Sequence, residues 1–186
     1  MKVSIITVCL NAADVLKKTI ESIAWQSYGN MEYLIIDGGS TDGSLDIIRS
    51  NSGLINRWIS EKDKGIFDAM NKGIDMATGE VTAFMNAGDR YSHPDAVRLS
   101  VELFTKTGAD IVYGNCSYVN GKSCWDIDYS GIHLEDYYKS VVLCHQAIFT
   151  KTSLLRTHKF DTRYKICGDY KQLLGFVSEE IGRAHV

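Results

Sequence analysis

Four apolar runs, with Thr7, Asp37, Glu61 and Asp89 at or near their carboxyl ends, constrain the fold more than any other feature of this chain. Val3-Ser4-Ile5-Ile6-Thr7-Val8-Cys9 is β-branched, and behind Asn11 and Asp14 the residues Val15, Leu16, Ile20, Ile23 and Ala24 recur at helical spacing. Tyr33-Leu34-Ile35-Ile36 stops abruptly at Asp37-Gly38-Gly39, with Ser40, Thr41 and Asp42 as capping residues before Leu45-Asp46-Ile47-Ile48. Arg57-Trp58-Ile59-Ser60 leads through a polar loop from Glu61 to Gly65 into a helical stretch, Ile66 to Ala77. Val81-Thr82-Ala83-Phe84-Met85 closes on Asn86-Ala87-Gly88-Asp89, and a helix through Thr107 follows Pro94, a residue suited to a first helical turn. Asp110-Ile111-Val112-Tyr113 begins a fifth strand. This alternation predicts an α/β fold: a mainly parallel sheet with helices on both faces.

In such sheets ligands bind beyond the carboxyl ends of the strands. Those ends carry Thr7, Asp37, Glu61 and Asp89. Asp37, with glycines behind it, can accept hydrogen bonds from a ribose or a base N–H. Asp89 suits a divalent cation, because magnesium and manganese are held by one or two carboxylates together with substrate phosphates. The loop from Gly38 to Gly43 lacks the lysine of a phosphate-binding P-loop and is not G-x-G-x-x-G, so Asp42 reads as a helix cap.

Composition excludes other classes. The formal net charge of -3 argues against a nucleic-acid partner. No apolar run approaches the ~20 residues that span a bilayer, and the amino terminus lacks a signal-peptide cleavage pattern, so a cytoplasmic location is expected. The five cysteines are scattered without a C-x-x-C pair, so neither a zinc site nor a disulfide framework is indicated. Beyond Asn115 the pattern weakens to a hairpin around Asn120-Gly121 and a short helix over Leu134 to Lys139.

Residues 1–179 are expected to form a single domain. The tail Glu180-Ile181-Gly182-Arg183-Ala184-His185-Val186 shows neither helical nor strand period. It resembles the translation of a common sequencing adapter (GAG ATC GGA AGA GCA CAC GTC), and is expected to be foreign to a protein truncated at its carboxyl end.

Ser4-Ile5-Ile6-Thr7 with Asn11, followed by Ile36-Asp37-Gly38-Gly39-Ser40-Thr41-Asp42-Gly43-Ser44, resembles the amino-terminal signature of family 2 glycosyltransferases. Ser60 through Gly73 is similar to their next block, in a form seen in bacterial polysaccharide-biosynthesis enzymes. Asn86-Ala87-Gly88-Asp89 occupies their metal-binding D-x-D position, and His145-Gln146-Ala147 and Cys167-Gly168-Asp169-Tyr170 match the later blocks.

The resemblance implies a GT-A (Rossmann-like) fold and inverting transfer of a sugar from a nucleotide-diphosphate sugar to a polysaccharide or lipid-linked saccharide. It implies that Thr7, Asn11, Asp37 and Asp63 contact the nucleotide, with Lys64 and Asn71 near the diphosphate. Asp89 would hold Mg2+ or Mn2+, and Asp169 would be the catalytic base. His145 and Trp125 are acceptor-site candidates. A lipid-linked acceptor would also bring peripheral association with the inner face of the membrane.

Departures from the family pattern are Gly38 in place of a second aspartate, Asn86 at the start of the D-x-D block, and Gly168 where glutamate is frequent. Two other readings remain: a sugar-nucleotide-binding module without catalysis, and a nucleotidyltransferase. The latter is disfavoured because no glycine-rich basic loop follows the first strand.

Overall fold

A computed structural model describes residues 1–132, 136, 138, 139, 143–179 and 181–185. The strands β1 (Val3–Cys9), β2 (Met31–Asp37), β3 (Arg57–Ser60) and β4 (Val81–Phe84) run parallel, with β1 between β2 and β4 and β3 outside β2. Every residue of β1 and of β4 is buried, as strands covered on both faces must be.

Alternate residues of β1 feed two separate cores. Val3, Ile5 and Cys9 pack with Leu16, Ile20 and Ile23 of α1 (Leu16–Ala24), Ile48 of α2 (Ser44–Ser50), and Val97, Val101 and Phe104 of α4 (Ala96–Thr107). Ile6 and Val8 face the other way, towards Phe67, Met70 and Ile74 of α3 (Ile66–Met76). Leu155 of α5 (Thr152–Thr157) and Phe176 of α6 (Gly168–Ser178) belong to that second core. The period of two along a strand sends its side chains to opposite faces, so a single central strand organises both layers.

Past β4 the sheet changes sense. β8 (Ile148–Lys151) lies antiparallel between β4 and β5 (Ile111–Tyr113), and β9 (Arg183–His185) runs parallel to β5. The order among the described residues is β3-β2-β1-β4-β8-β5-β9. Arg183–His185, in the tail that shows neither helical nor strand period, forms that last strand. A three-residue strand is too short to show alternation in sequence, and its pairing comes from backbone groups that any residue supplies. β6 (Cys116–Asn120) and β7 (Ser123–Ile127) form a separate antiparallel hairpin, turning at Gly121 (φ +61°) and Lys122. Within the expected helix over Leu134 to Lys139, Leu134, Glu135 and Tyr137 lie outside the described residues.

At the amino-terminal edge of the sheet, the buried Glu32 joins three segments. It accepts hydrogen bonds from Ser4 Oγ (2.6 Å), Lys2 Nζ (3.0 Å), Thr78 Oγ1 (2.7 Å) and Gly79 N–H (3.2 Å), and also from Thr78 N–H. Burial opposes the charge, but these donors hold the Glu32 carboxyl down at about 2.

Candidate active site

At the opposite, carboxyl-terminal edge the strand ends meet their loops. Asp37 is fully buried and accepts from Gly39 N–H (3.1 Å), Ser40 N–H (3.0 Å), Ser60 Oγ (2.6 Å) and the Ser40 hydroxyl. Burial raises its pKa, but the hydroxyls and N–H groups outweigh it and the net shift is downward. This carboxylate therefore organises the loop after β2 and keeps no exposed face for a ligand. Thr7 departs from expectation in the same way. It is fully buried, its hydroxyl donates to Met85 O (2.7 Å), and it accepts from Tyr33 Oη (3.0 Å). The reason is positional: β1 is covered on both faces, so its first ligand-accessible residues come after Cys9.

Those residues are Leu10 and Asn11, both exposed. Asn11 sits at φ +49° and its Oδ1 accepts from Thr41 N–H at 2.9 Å. Its own N–H donates to Ser40 Oγ (2.7 Å), Ala12 N–H to Ser44 Oγ (2.9 Å), and Ala13 N–H to Asp42 Oδ2 (2.9 Å). Asp42, expected as a helix cap, accepts from Ser44 N–H (3.0 Å) at the start of α2 through Oδ1, and together with Ser40 and Ser44 it also stitches the loops after β1 and β2 into one rim.

Asp63 is half-buried in the loop after β3, and its Oδ1 accepts from Gly65 N–H at 2.9 Å. Lys64 is exposed and lines a cavity of about 310 Å³ with Ile66, Phe67, Asp68, Tyr164 and Lys165. Asn71, expected near the diphosphate, spends both ends of its amide on Phe160: Nδ2 donates to the carbonyl and Oδ1 accepts the N–H, each at 2.9 Å. That clamp holds Phe160 against α3 and leaves Asn71 a structural role.

Asp89 is held by the short segment that precedes β8. The 3-10 turn His145–Ala147 precedes β8. From it Gln146 Nε2 donates to Asp89 Oδ2 at 2.9 Å. Its neighbour His145 packs against Phe84, the last residue of β4, with ring centroids 5.1 Å apart, and against Phe160 at 5.5 Å. Desolvation pushes the His145 imidazole down to about 4, while the nearby Asp169 carboxylate pulls the other way. Burial raises the Asp89 carboxyl and the Gln146 hydrogen bond lowers it, for a net upward shift. The turn that carries Asp89 is pinned from α1: Thr19 Oγ1 donates to Asp89 O (2.8 Å) and accepts from Gly88 N–H (3.0 Å).

Asp169 lies in the first turn of α6, and a Cβ on its neighbour Gly168 would lie 2.6 Å from the Phe67 ring. No larger residue fits between that ring and the helix start, which accounts for glycine where glutamate is frequent. Trp125 is 55% exposed opposite Tyr118, which is 54% exposed. The Tyr118 phenol is pushed up by Cys144, by burial and by Cys116. Gln146 entered only as the middle of the His145-Gln146-Ala147 block and Phe160 carried no sequence signal; each acts through a contact made across the fold.

The donor set at Asp89 fits a hard divalent cation that shares its ligands with phosphate. Asp89 is its one carboxylate, and Asn86 Oδ1 is a buried oxygen with no hydrogen-bond partner among the described residues. Among those residues no cluster of three or more His, Cys, Asp or Glu side chains could cage a metal by itself. Phosphate and water would complete the coordination.

A mainly parallel sheet with acidic residues at and beyond the carboxyl ends of its strands places the chain among the α/β proteins whose ligands bind at that edge. The chain belongs to glycosyl transferase family 2, whose family model matches residues 4–167. It is 34% identical over 175 residues to a PGL/p-HBAD biosynthesis glycosyltransferase of Mycobacterium bovis, covering 90% of this chain and 66% of that protein. It is 32% identical over 126 residues to glycosyltransferase AglE of Haloferax volcanii, covering 64% of this chain and 41% of the relative. The chain therefore spans about two thirds, or less, of these relatives' length. In fold it matches S. aureus TarS 1-349 in complex with UDP, with a TM-score of 0.81 at 18% identity over all of this chain and 61% of that one. The mannosyltransferase PcManGT of Pyrobaculum calidifontis, in complex with GDP-Man and Mn2+, aligns with a TM-score of 0.75 at 19% identity over all of this chain and 54% of its own. Among the described residues no helix is long and apolar enough to cross a membrane.

Proposed function

We propose that this chain carries the donor site and catalytic base of an inverting glycosyltransferase, moving a sugar from a nucleoside-diphosphate sugar to a saccharide or lipid-linked acceptor. The observation that carries this reading is the turn after β4, where the Asp89 carboxylate accepts from Gln146 Nε2 at 2.9 Å and the same turn holds the partnerless buried Asn86 Oδ1. Support also comes from TarS, described with UDP and UDP-GlcNAc, and from PcManGT, described with GDP-Man and Mn2+.

In this reading Asp89 and Asn86 face the diphosphate and hold Mg2+ or Mn2+, which supplies positive charge to the departing phosphates. Asn11 and Asp63 contact the nucleotide, and Lys64 lies towards its phosphates. The Asp169 carboxylate takes the proton of the acceptor hydroxyl as that oxygen attacks the anomeric carbon from the face opposite the leaving group. His145 stays neutral and packs against Phe84 and Phe160, while Trp125 with Tyr118 offers stacking surface to the acceptor.

Exchanging Asp89 for Asn tests the donor site. D89N is expected to keep its melting temperature and to lose Mn2+-dependent turnover of the donor. For the parent, calorimetry with Mn2+ alone should show no binding, and the same titration with a nucleoside diphosphate present should show it. Because the Asp89 carboxyl is raised, that binding should weaken on acidification sooner than an ordinary aspartate would allow. Unchanged turnover in D89N rejects the metal assignment.

A further inference from the structure

We propose that Asp63 and Gly38 act as a pair that reads the base of the donor nucleotide, selecting bases with a ring N–H beside a carbonyl (uracil, thymine or guanine). The proposal rests on the donor-site reading and makes it more specific.

The acidic residue at the end of β2 cannot do this work, because Asp37 is fully buried and its carboxylate serves the loop behind it. The carboxylate that reaches this strand end comes from the loop after β3. A Cβ built on Gly38 would lie 2.5 Å from Asp63 Oδ2 and 3.3 Å from the Asp63 carboxyl carbon. Any side chain at position 38 would therefore displace Asp63. Gly38 is not among the glycines with positive φ, so the backbone does not demand glycine here. Room for the Asp63 carboxylate is what glycine provides.

The two oxygens of Asp63 are in different situations. Oδ1 is fixed by Gly65 N–H at 2.9 Å, whereas Oδ2 has no hydrogen-bond partner among the described residues. The exposed Leu10 side chain comes within 3.5 Å of the same point above Gly38 and offers apolar surface to a planar ring. An ionised carboxylate only accepts hydrogen bonds. It therefore pairs with N3–H of uracil or thymine, or N1–H of guanine. The ring lone pair that cytosine or adenine presents at the corresponding edge is repelled. A hydrogen bond to a charged group typically changes affinity by about ten- to a hundredfold.

Calorimetry with UDP, GDP, CDP and ADP in the presence of Mn2+ tests this on the purified protein and on D63A. The parent is expected to bind UDP or GDP about tenfold or more tighter than CDP and ADP. D63A should level the four affinities while pyrophosphate binding and the melting temperature stay unchanged. Gly38→Asp alone should weaken binding by crowding two carboxylates, and Gly38→Asp with Asp63→Ala should restore the base preference. Should either Gly38 variant fail to fold, D63A decides alone. Equal affinities in the parent, tightest binding of CDP or ADP, or an undiminished preference in D63A would each overturn the proposal while leaving the donor site standing. Binding of none of the four would overturn the donor site and this inference together.

Discussion

Asp169→Asn is expected to lower sugar transfer by roughly 10²–10⁴-fold, the range over which a positioned general base contributes. Nucleoside-diphosphate affinity should stay within about twofold, since Asp169 lies on α6 and Asp63 lies on the loop after β3. The amide preserves shape and the first-turn position but can no longer accept the hydroxyl proton. Transfer rate and donor affinity measured on one preparation separate the two effects. A loss of transfer matched by an equal loss of donor affinity would mean that Asp169 supports binding, and the assignment as base would fall.

Glu32→Gln is expected to cost about 2–3 kcal/mol of folding stability at neutral pH without touching the catalytic edge. Glu32 is ionised in the fold at about 2, against an ordinary 4.5. Its folded pKa is depressed, so its stabilisation is fully present above about 4.5 and is lost as the pH falls towards about 2. The introduced amide would also set an N–H₂ group against donors that now converge on a carboxylate, namely Ser4 Oγ, Thr78 N–H and Lys2 Nζ. Denaturant unfolding at several pH values should show the variant less stable at pH 7 and flatter between pH 4.5 and 2. Parent and variant differing by less than about 0.5 kcal/mol at pH 7, the usual scatter of a surface substitution, would show that the hub is not a stabilising centre.

The parallel half of the sheet was legible because its strands carry β-branched runs and its helices carry a clear period. β8 was not: Ala147-Ile148-Phe149 is visibly apolar, but nothing in those residues says that they insert antiparallel between β4 and β5. The candidate site was legible as strand ends and motif blocks rather than as contacts. Asp37 is the last residue of β2 as expected, whereas Thr7 lies two residues inside the end of β1, and the sheet buries both, because a position on a covered strand differs from one on the loop beyond it. Gln146 illustrates the rest. Its contact with Asp89 spans 57 residues of sequence and exists only once β8 has brought the turn alongside β4.

The place of β8 sets an order of events during synthesis. β1 to β4, with the loops bearing Asn11 and Asp63, are contiguous from Val3 to Phe84 and pair only with one another up to that point. The strand behind His145 and Gln146 arrives more than sixty residues later, and the helix bearing Asp169 follows it. A nascent chain on the ribosome therefore completes the half bearing Asn11 and Asp63 well before Asp169, the residue proposed as base, emerges.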